Sequence, residues 1–276
     1  MPRAARGRAA PIGRGSALRS SRAEKKQPAG QRTAGKAKGS LRGGADVHYP
    51  APDPRVSPGA FADVTFSLSA GQAVMAAAGA MVWKKSAESE AIGISLARKL
   101  GGGSWFVNRW TAGASPDGKA SEVCFSPTAP GDVVAVVVRP GTPWTISRGG
   151  ALCWDAGVEV GGSLYAAGIV PIGTEEGFVL SSAQATGEQP GRLWVCGFGL
   201  ARQHVLAPGE QMDVDNGCLL ASDIRSWTRV MAGQTLIGSL VGGEGLSMRL
   251  TGPGTVWTQN RNYMAFVRKL ASDGAL

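Results

Sequence analysis

"AGQAVMAAAGAMVW", residues 70–83, is the most membrane-like stretch of this chain, and no charge occurs from Val64 to Trp83. A bilayer-spanning helix needs about 20 apolar residues, so length alone allows either a membrane span or part of a folded β-domain. Comparing the chain with itself separates the two. "AGQAVMAAAGAMV" (70–82) aligns without a gap on "PGEQMDVDNGCLL" (208–220): Gly71 meets Gly209, Val74 meets Met212, Ala76 meets Val214 and Gly79 meets Gly217. The second copy holds Glu210, Asp213 and Asp215 in the same frame, which a span would not tolerate. Its apolar positions alternate with period two into an Asn216-Gly217 turn, the pattern of a half-buried β-hairpin. The opening stretch accordingly reads as two strands and a glycine turn, and no transmembrane segment is expected.

A third copy, "PGDVVAVVV…GGALCW" (130–154), places Gly131, Val134 and Val136 at the same offsets, inserts "RPGTPWTIS" and returns at Gly150-Ala151-Leu152. A second element also recurs: "GGSWFVNRWTAG" (102–113), "GRLWVCGFG" (191–199) and "GPGTVWTQNRN" (252–262) each set a glycine two or three residues before Trp105, Trp194 or Trp257. Gly71, Gly131 and Gly209 and these three tryptophans are the expected anchors of three related β-units. Such units imply pseudo-threefold packing round a shared core, with the tryptophans as core anchors rather than base-stacking surfaces. One helix is expected in "SAESEAIGISLARKLGGG" (86–103), where Ile92, Leu96 and Leu100 recur every four residues, acids lie at the start and a glycine stop follows. A short closing helix is expected in "NYMAFVRKLASDGAL".

Composition agrees with a β-rich body. The 41 glycines and 16 prolines follow no repeat of three, and so much glycine is costly in a helical bundle. With 43 % apolar residues over 276 positions the chain can bury a sizeable core. The fold class expected is all-β, with one or two short helices.

Charge divides the chain at its N-terminal side. Residues 1–45 carry twelve Lys or Arg against the single acid Glu24, a net of +11, which leaves −2 for the rest of a +9 chain. This segment has almost no large apolar residues, so burial cannot offset the entropy of ordering it. Residues 1–48 read as a disordered basic tail or targeting segment and residues 49–276 as a single β-rich domain. Arg3, Arg6, Arg8, Arg14, Arg19, Arg22, Lys25 and Lys26 are its candidate polyanion contacts. Three readings of the tail stay open: an organellar transit peptide, an arm for nucleic acid or anionic lipid, and a solubilising extension. The 7-to-15-residue apolar core of a secretory signal is missing.

Chemistry-bearing residues are sparse. Cys124, Cys153, Cys196 and Cys218 are 29, 43 and 22 residues apart with no CxxC pair, so they read as buried free thiols. His204 and His48 are the two histidines, and no HxH or HExxH pattern is formed. His204 reads as a solvated or hydrogen-bonded strand residue. "GASPDGKA" (113–120) matches part of a phosphate loop, but Ala120 stands where Ser or Thr should hold magnesium; it reads as a hairpin loop. "DVDNG" (213–217) has its glycine one place early for a calcium loop and Ile224 at the position of the bidentate Glu; it reads as a turn. Glu175-Glu176 sit in another turn. No catalytic residue, metal site or cofactor is expected, and the chain reads as not an enzyme.

Taken in order, "GAMVW" (79–83), "GGGSWFVNRWTAG" (101–113), "SPTAPGDVVAV" (126–136), "GRLWVCGFGLARQHVLAPGEQMDVDNGCLLA" (191–221) and "GEGLSMRLTGPGTVWTQNRN" (243–262) resemble the altered-inheritance-of-mitochondria family (number 24). That family is grouped with the tryptophan RNA-binding attenuation protein-like superfamily. The resemblance implies a double-stranded β-helix or barrel-like sandwich with pseudo-threefold repeats, and a tendency to homotrimers. It implies a mitochondrial or other organellar location and a role in inner-membrane organisation; a cytoplasmic location is the alternative. Two functions are then expected side by side. One is a non-enzymatic oligomeric scaffold that holds protein partners near an organellar membrane. The other is a nucleic-acid binder using the basic arm, with Arg109 and Arg261 as candidate body residues.

Overall fold

The computed structural model describes residues 52–57, 59–93, 106–115, 118–163, 180–231 and 246–275. The basic residues singled out in the tail, Trp105 and Glu175-Glu176 lie outside them. All described residues belong to the compact unit Asp46–Leu276, and they form antiparallel sheets with one α-helix, an all-β architecture.

After a short leading strand β1 (Arg55–Ser57), eighteen strands fall into three sets of six. The first set is β2 (Asp63–Leu68), β3 (Ala73–Ala77), β4 (Met81–Lys85), β5 (Ala87–Gly93), β6 (Phe106–Ala112) and β7 (Ser121–Phe125). The second is β8 (Val133–Val138), β9 (Trp144–Ser147), β10 (Ala151–Asp155), β11 (Val158–Ser163), β12 (Leu180–Ala185) and β13 (Gly191–Cys196). The third is β14 (Ala201–Leu206), β15 (Gln211–Asp215), β16 (Leu219–Ser222), β17 (Ser226–Met231), β18 (Leu246–Thr251) and β19 (Gly254–Gln259), followed by helix α1 (Tyr263–Ser272). Within every set the first strand pairs with the sixth, the sixth with the third, the second with the fifth and the fifth with the fourth. The third strand carries a register shift at the same place each time, between Met81 and Trp83, Ala151 and Cys153, and Leu219 and Ala221. The three units announced by the sequence are therefore real, at spacings of 70 and then 68 residues.

Local chemistry sets the first corner of each unit. Gln72 N donates to Ser69 O, Thr142 N to Arg139 O and Glu210 N to Ala207 O, each at 3.0 Å. The third residue of each turn is a glycine at positive φ: Gly71 at 82°, Gly141 at 74° and Gly209 at 78°. L-residues reach that region only at a steric cost, which glycine avoids.

This corrects the expected alignment of the middle copy. The counterpart of Gly71 and Gly209 is Gly141, inside the segment read as an insertion, and β9 in that same segment is the counterpart of β3 and β15. Gly131 precedes the first strand of its unit, where it bridges to Gly199. A Cβ there would collide with the carbonyl of Gly197. The misalignment arose because β8, "VVAVVV", is apolar enough to imitate the second strand of either neighbour.

Residues 70–83 do form two strands and a turn, but not a hairpin. β3 pairs with β6 and β10, whereas β4 pairs with β7. The copy at 208–220 behaves alike: β15 pairs with β18, then a single 3-10 turn at Asn216–Cys218 leads to β16 on β19 and β9. Alternation of side chains reports that a strand has one covered face, and not which strand lies beside it. Each of these turns is a corner between sheets.

The helix expected at 86–103 is also overturned where it is described. Ala87–Gly93 is β5, hydrogen-bonded along β6 with Glu90 opposite Arg109. Ser86 enters it at φ 55°, and pairing to β6 outweighs a weak four-residue periodicity. Leu96 and Leu100 lie outside the described residues. The closing helix is present as α1. Asn262 caps it by accepting from Ala265 N at 3.0 Å, and Gly274 at φ 69° follows its end.

The core of the described residues comprises three clusters. Phe66, Phe125, Trp110 and Trp194 pack in the first, with the Phe66 ring edge-on to Trp194 at 5.0 Å. Val138, Trp144, Ile146, Trp154 and Leu193 fill the second, and Leu206, Val214, Leu219, Met248, Leu250 and Val256 the third. Burying each such side chain stabilises by about 1.5–3 kcal/mol before entropy is counted. No described helix is long and apolar enough to cross a membrane.

Candidate functional site

The tryptophan anchors divide. Trp194 is buried in the first cluster and Trp257 packs against the second. They occupy equivalent places on sixth strands, opposite Cys153 and Ala221. The equivalent place in the first unit, opposite Trp83, is Cys124. Trp105 instead precedes β6, a fifth strand, so the tryptophan motif of residues 102–113 is not the counterpart of the other two.

Among the described residues, His204, Asp213 and Asp215 are engaged in holding the fold. His204 Nε2 lies 3.0 Å from Thr258 Oγ1 across the β14–β19 ladder. Asp213 Oδ1 and Oδ2 each accept from Arg249, at 2.7 Å. Asp215 Oδ1 accepts from Gly217 N at 2.9 Å and from Asn262 at 3.3 Å. "DVDNG" is thus strand and turn, with both carboxylates bonded. Lys119, in "GASPDGKA", is followed by strand β7 rather than by the helix a phosphate loop requires. That segment links β6 to β7 in different sheets, so it is not a hairpin loop either. No group of three or more metal-type ligands occurs among the described residues.

Burial pushes the thiols up: Cys196 to about 12, Cys218 to about 11 with Asp215 adding to it, and Cys124 and Cys153 upward as well. At neutral pH these sulfurs are protonated and weak nucleophiles. The four cysteines form no disulfide.

Two surface hollows occur among the described residues. One, of about 220 Å³, is lined by Ser67, Lys85, Ser86, Lys119 and Glu122. The other, of about 330 Å³, lies where the first unit meets the second, between Met75, Ile92 and Val107 on one side and Trp154, Val158 and Glu159 on the other. The first is lined mainly by polar and charged side chains and the second mainly by apolar ones.

What stands out is apolar surface left uncovered. On β4 all five residues are exposed, and Met81, Val82 and Trp83 keep 42, 57 and 39 % of their surface. Helix α1 has no buried residue. Phe198 touches the rings of Tyr263 and Phe266, at 5.7 and 5.2 Å, yet those two and Met264 remain about half exposed. Arg109 and Arg261 are both exposed; one sits on β6 of the first unit and the other just beyond β19 of the third. Sequence reasoning missed β4 as a surface because a hairpin would have covered it.

A family model described as mitochondrial biogenesis AIM24 matches residues 55–261. Among solved structures, protein SPYM3_0169 from Streptococcus pyogenes superposes with a TM-score of 0.59 at 19 % identity, over 79 % of this chain and 98 % of that one. A likeness at that identity concerns the fold. No curated protein matches. The family match runs from β1 to just past β19, through all three units, and the chain belongs to the mitochondrial biogenesis AIM24 family.

Proposed function

We propose that this protein serves mitochondrial biogenesis as a non-enzymatic, oligomeric scaffold, a homotrimer whose outer surfaces hold partner proteins near the organellar membrane. The family description supports the mitochondrial part of this reading. The observation that carries the scaffold part is the apolar edge of β4 on a body whose other strands of the same kind are covered: Met81, Val82 and Trp83 are exposed, a contact surface seeking a partner. Of the groups considered for chemistry, His204, Asp213 and Asp215 are bonded within strands and a turn. The test is sedimentation velocity across a hundredfold range of concentration together with affinity capture from mitochondrial extract. An oligomer with reproducible mitochondrial partners is expected; a concentration-independent monomer that captures nothing would overturn the proposal.

A second reading rests on a separate observation, the +11 charge of residues 1–45 against −2 elsewhere. A basic arm of this kind binds nucleic acid or anionic lipid through phosphates. Affinity for a duplex or single strand must then fall steeply with salt. The full-length chain and a chain beginning at residue 46 are compared by fluorescence anisotropy between 50 and 200 mM salt. Salt-insensitive or absent binding by the full chain removes this reading.

A further inference from the structure

The repeated pairing rule exposes one joint that is left open. The sheet β5-β6-β3-β10-β13-β8 runs the fourth, fifth and second strands of the first unit into the third, sixth and first strands of the second. The sheet β11-β12-β9-β16-β19-β14 repeats this order between the second unit and the third. Both joints are antiparallel, β10 on β3 and β16 on β9. The same rule calls for a third sheet, β17-β18-β15-β4-β7-β2. Both of its halves exist, as β15-β18-β17 and β1-β2-β7-β4, and among the described strands they are not joined.

Burial shows what the missing joint does. The residues of β10 and β16 equivalent to Val82 and Trp83 are Leu152 and Cys153, at 2 and 0 %, and Leu220 and Ala221, both at 0 %. Val82 and Trp83 themselves are at 57 and 39 %. One structural role thus leaves a side chain buried where a neighbouring unit is docked and exposed where none is. The register of the missing joint follows from the two formed ones. Cys153 faces Ala76 and Ala221 faces Ile146, so Trp83 should face Val214; Trp154 faces Met75 and Ser222 faces Thr145, so Lys84 should face Asp213. The charges agree with this register. β4, "MVWKK", carries two lysines and no acid, and β15, "QMDVD", two aspartates and no base. Asp213 already accepts from Arg249, but a carboxylate has further lone pairs to offer a lysine.

We propose that β4 of one copy pairs antiparallel with β15 of a second copy, head to tail, completing the third six-stranded sheet between chains. The occupant is a second copy because the edge that fits β4 is that of β15 facing away from β18, and within this chain that edge is not joined to β4 while the other two joints are formed. Each copy offers one edge of each kind, so a closed ring of copies satisfies every edge, as head-to-tail interfaces with a closing rotation do. Main-chain hydrogen bonds would supply the affinity and the apolar run of β4 the burial. The inference rests on the oligomeric reading above and specifies its contact.

Two variants, Lys84→Cys and Asp213→Cys, are made singly in the full chain, mixed, and oxidised with copper-phenanthroline; wild type and each variant alone are treated alongside. The expected result is a disulfide-linked species of twice the chain mass that forms in the mixture and not in the controls. Independently, Lys84→Asp sets like charge against Asp213 and should weaken association about tenfold in sedimentation equilibrium at low salt, with an unchanged circular-dichroism spectrum. An oligomer that shows neither effect overturns the β4–β15 contact and leaves the oligomeric reading standing. A wild-type monomer at every concentration overturns both. A chain carrying both Lys84→Cys and Asp213→Cys is oxidised in the same way; if it cross-links within itself as a monomer, the sheet closes inside one chain and the second copy is not its occupant.

Discussion

Arg192 on β13 grips Asp155 on the adjacent strand β10 with Nε on Oδ2 at 2.9 Å and Nη2 on Oδ1 at 3.0 Å, both side chains buried. The guanidinium also reaches the exposed Asp53 at 2.6 Å and lies 5.0 Å from the Trp194 ring. Asp155 further accepts from Arg192 N at 2.8 Å, as Asp223 accepts from Thr255 N at the equivalent place in the third unit. In the first unit the charges are reversed and solvated, Lys85 to Glu122 at 4.0 Å. Removing one member of the buried pair strands a charge in the core. Arg192→Ala should therefore lower stability by about 3–5 kcal/mol, and the volume-matched double change Arg192→Met with Asp155→Leu by much less. Urea denaturation reads both; a loss under about 1 kcal/mol for the single variant would contradict this account.

Glycine substitutions should separate backbone conformation from crowding. Around Gly71 and Gly141 a Cβ meets nothing within 4 Å, so Ala there costs the positive φ alone, about 1–2 kcal/mol. At Gly131 the added Cβ collides with main chain, and Ala should cost more than at either turn, about 2–3 kcal/mol. The ordering of the three thermal midpoints checks the assignment of Gly141, rather than Gly131, as the turn glycine.

Alkali should weaken the fold through its thiols. A raised thiol pKa leaves stability complete below the ordinary value of 9.0 and removes it as pH climbs towards about 11–12, because unfolded thiols ionise first while native ones hold their protons. Denaturation midpoints should fall between pH 8 and pH 10.5. At pH 8 Ellman's reagent should react slowly with the native protein and with four thiols after unfolding in urea.

The acid limb has its own marker. Hydrogen bonding from Arg249 holds the Asp213 carboxyl below its ordinary value of 3.8. Its contribution is present above that value and disappears as pH falls through the lowered one. Asp213→Asn should flatten the stability profile below pH 4 and leave it unchanged at pH 7 apart from the lost ion pair, which a pH series of thermal melts measures.

Helix α1 should be the least stable described element, since none of its residues is buried. Asn262→Ala removes its N-cap and should cost about 1 kcal/mol locally. Amide exchange across residues 263–272 should speed up several-fold while β13 and β19 keep their protection.

The sequence by itself determined the all-β class, the threefold repetition and the closing helix. Period-two alternation and positive-φ turn glycines are local properties that survive in the residues themselves, as at Gly71 and Gly209. The family was also legible, because motifs such as "GRLWVCGFGLARQHVL" keep order as well as composition. Which strands lie side by side was decided only by the tertiary structure. β3 and β4 are close in sequence yet enter different sheets, and Ala87–Gly93 is a strand because β6 is there to pair with it. The middle repeat was misread for the same reason: β8 and β9 satisfy one apolar pattern equally, and only their partners, β13 for one and β12 with β16 for the other, tell them apart. The exposed edge of β4 was invisible from sequence because a strand's pattern records the face it buries, whereas an open edge is a property of the neighbour that is missing.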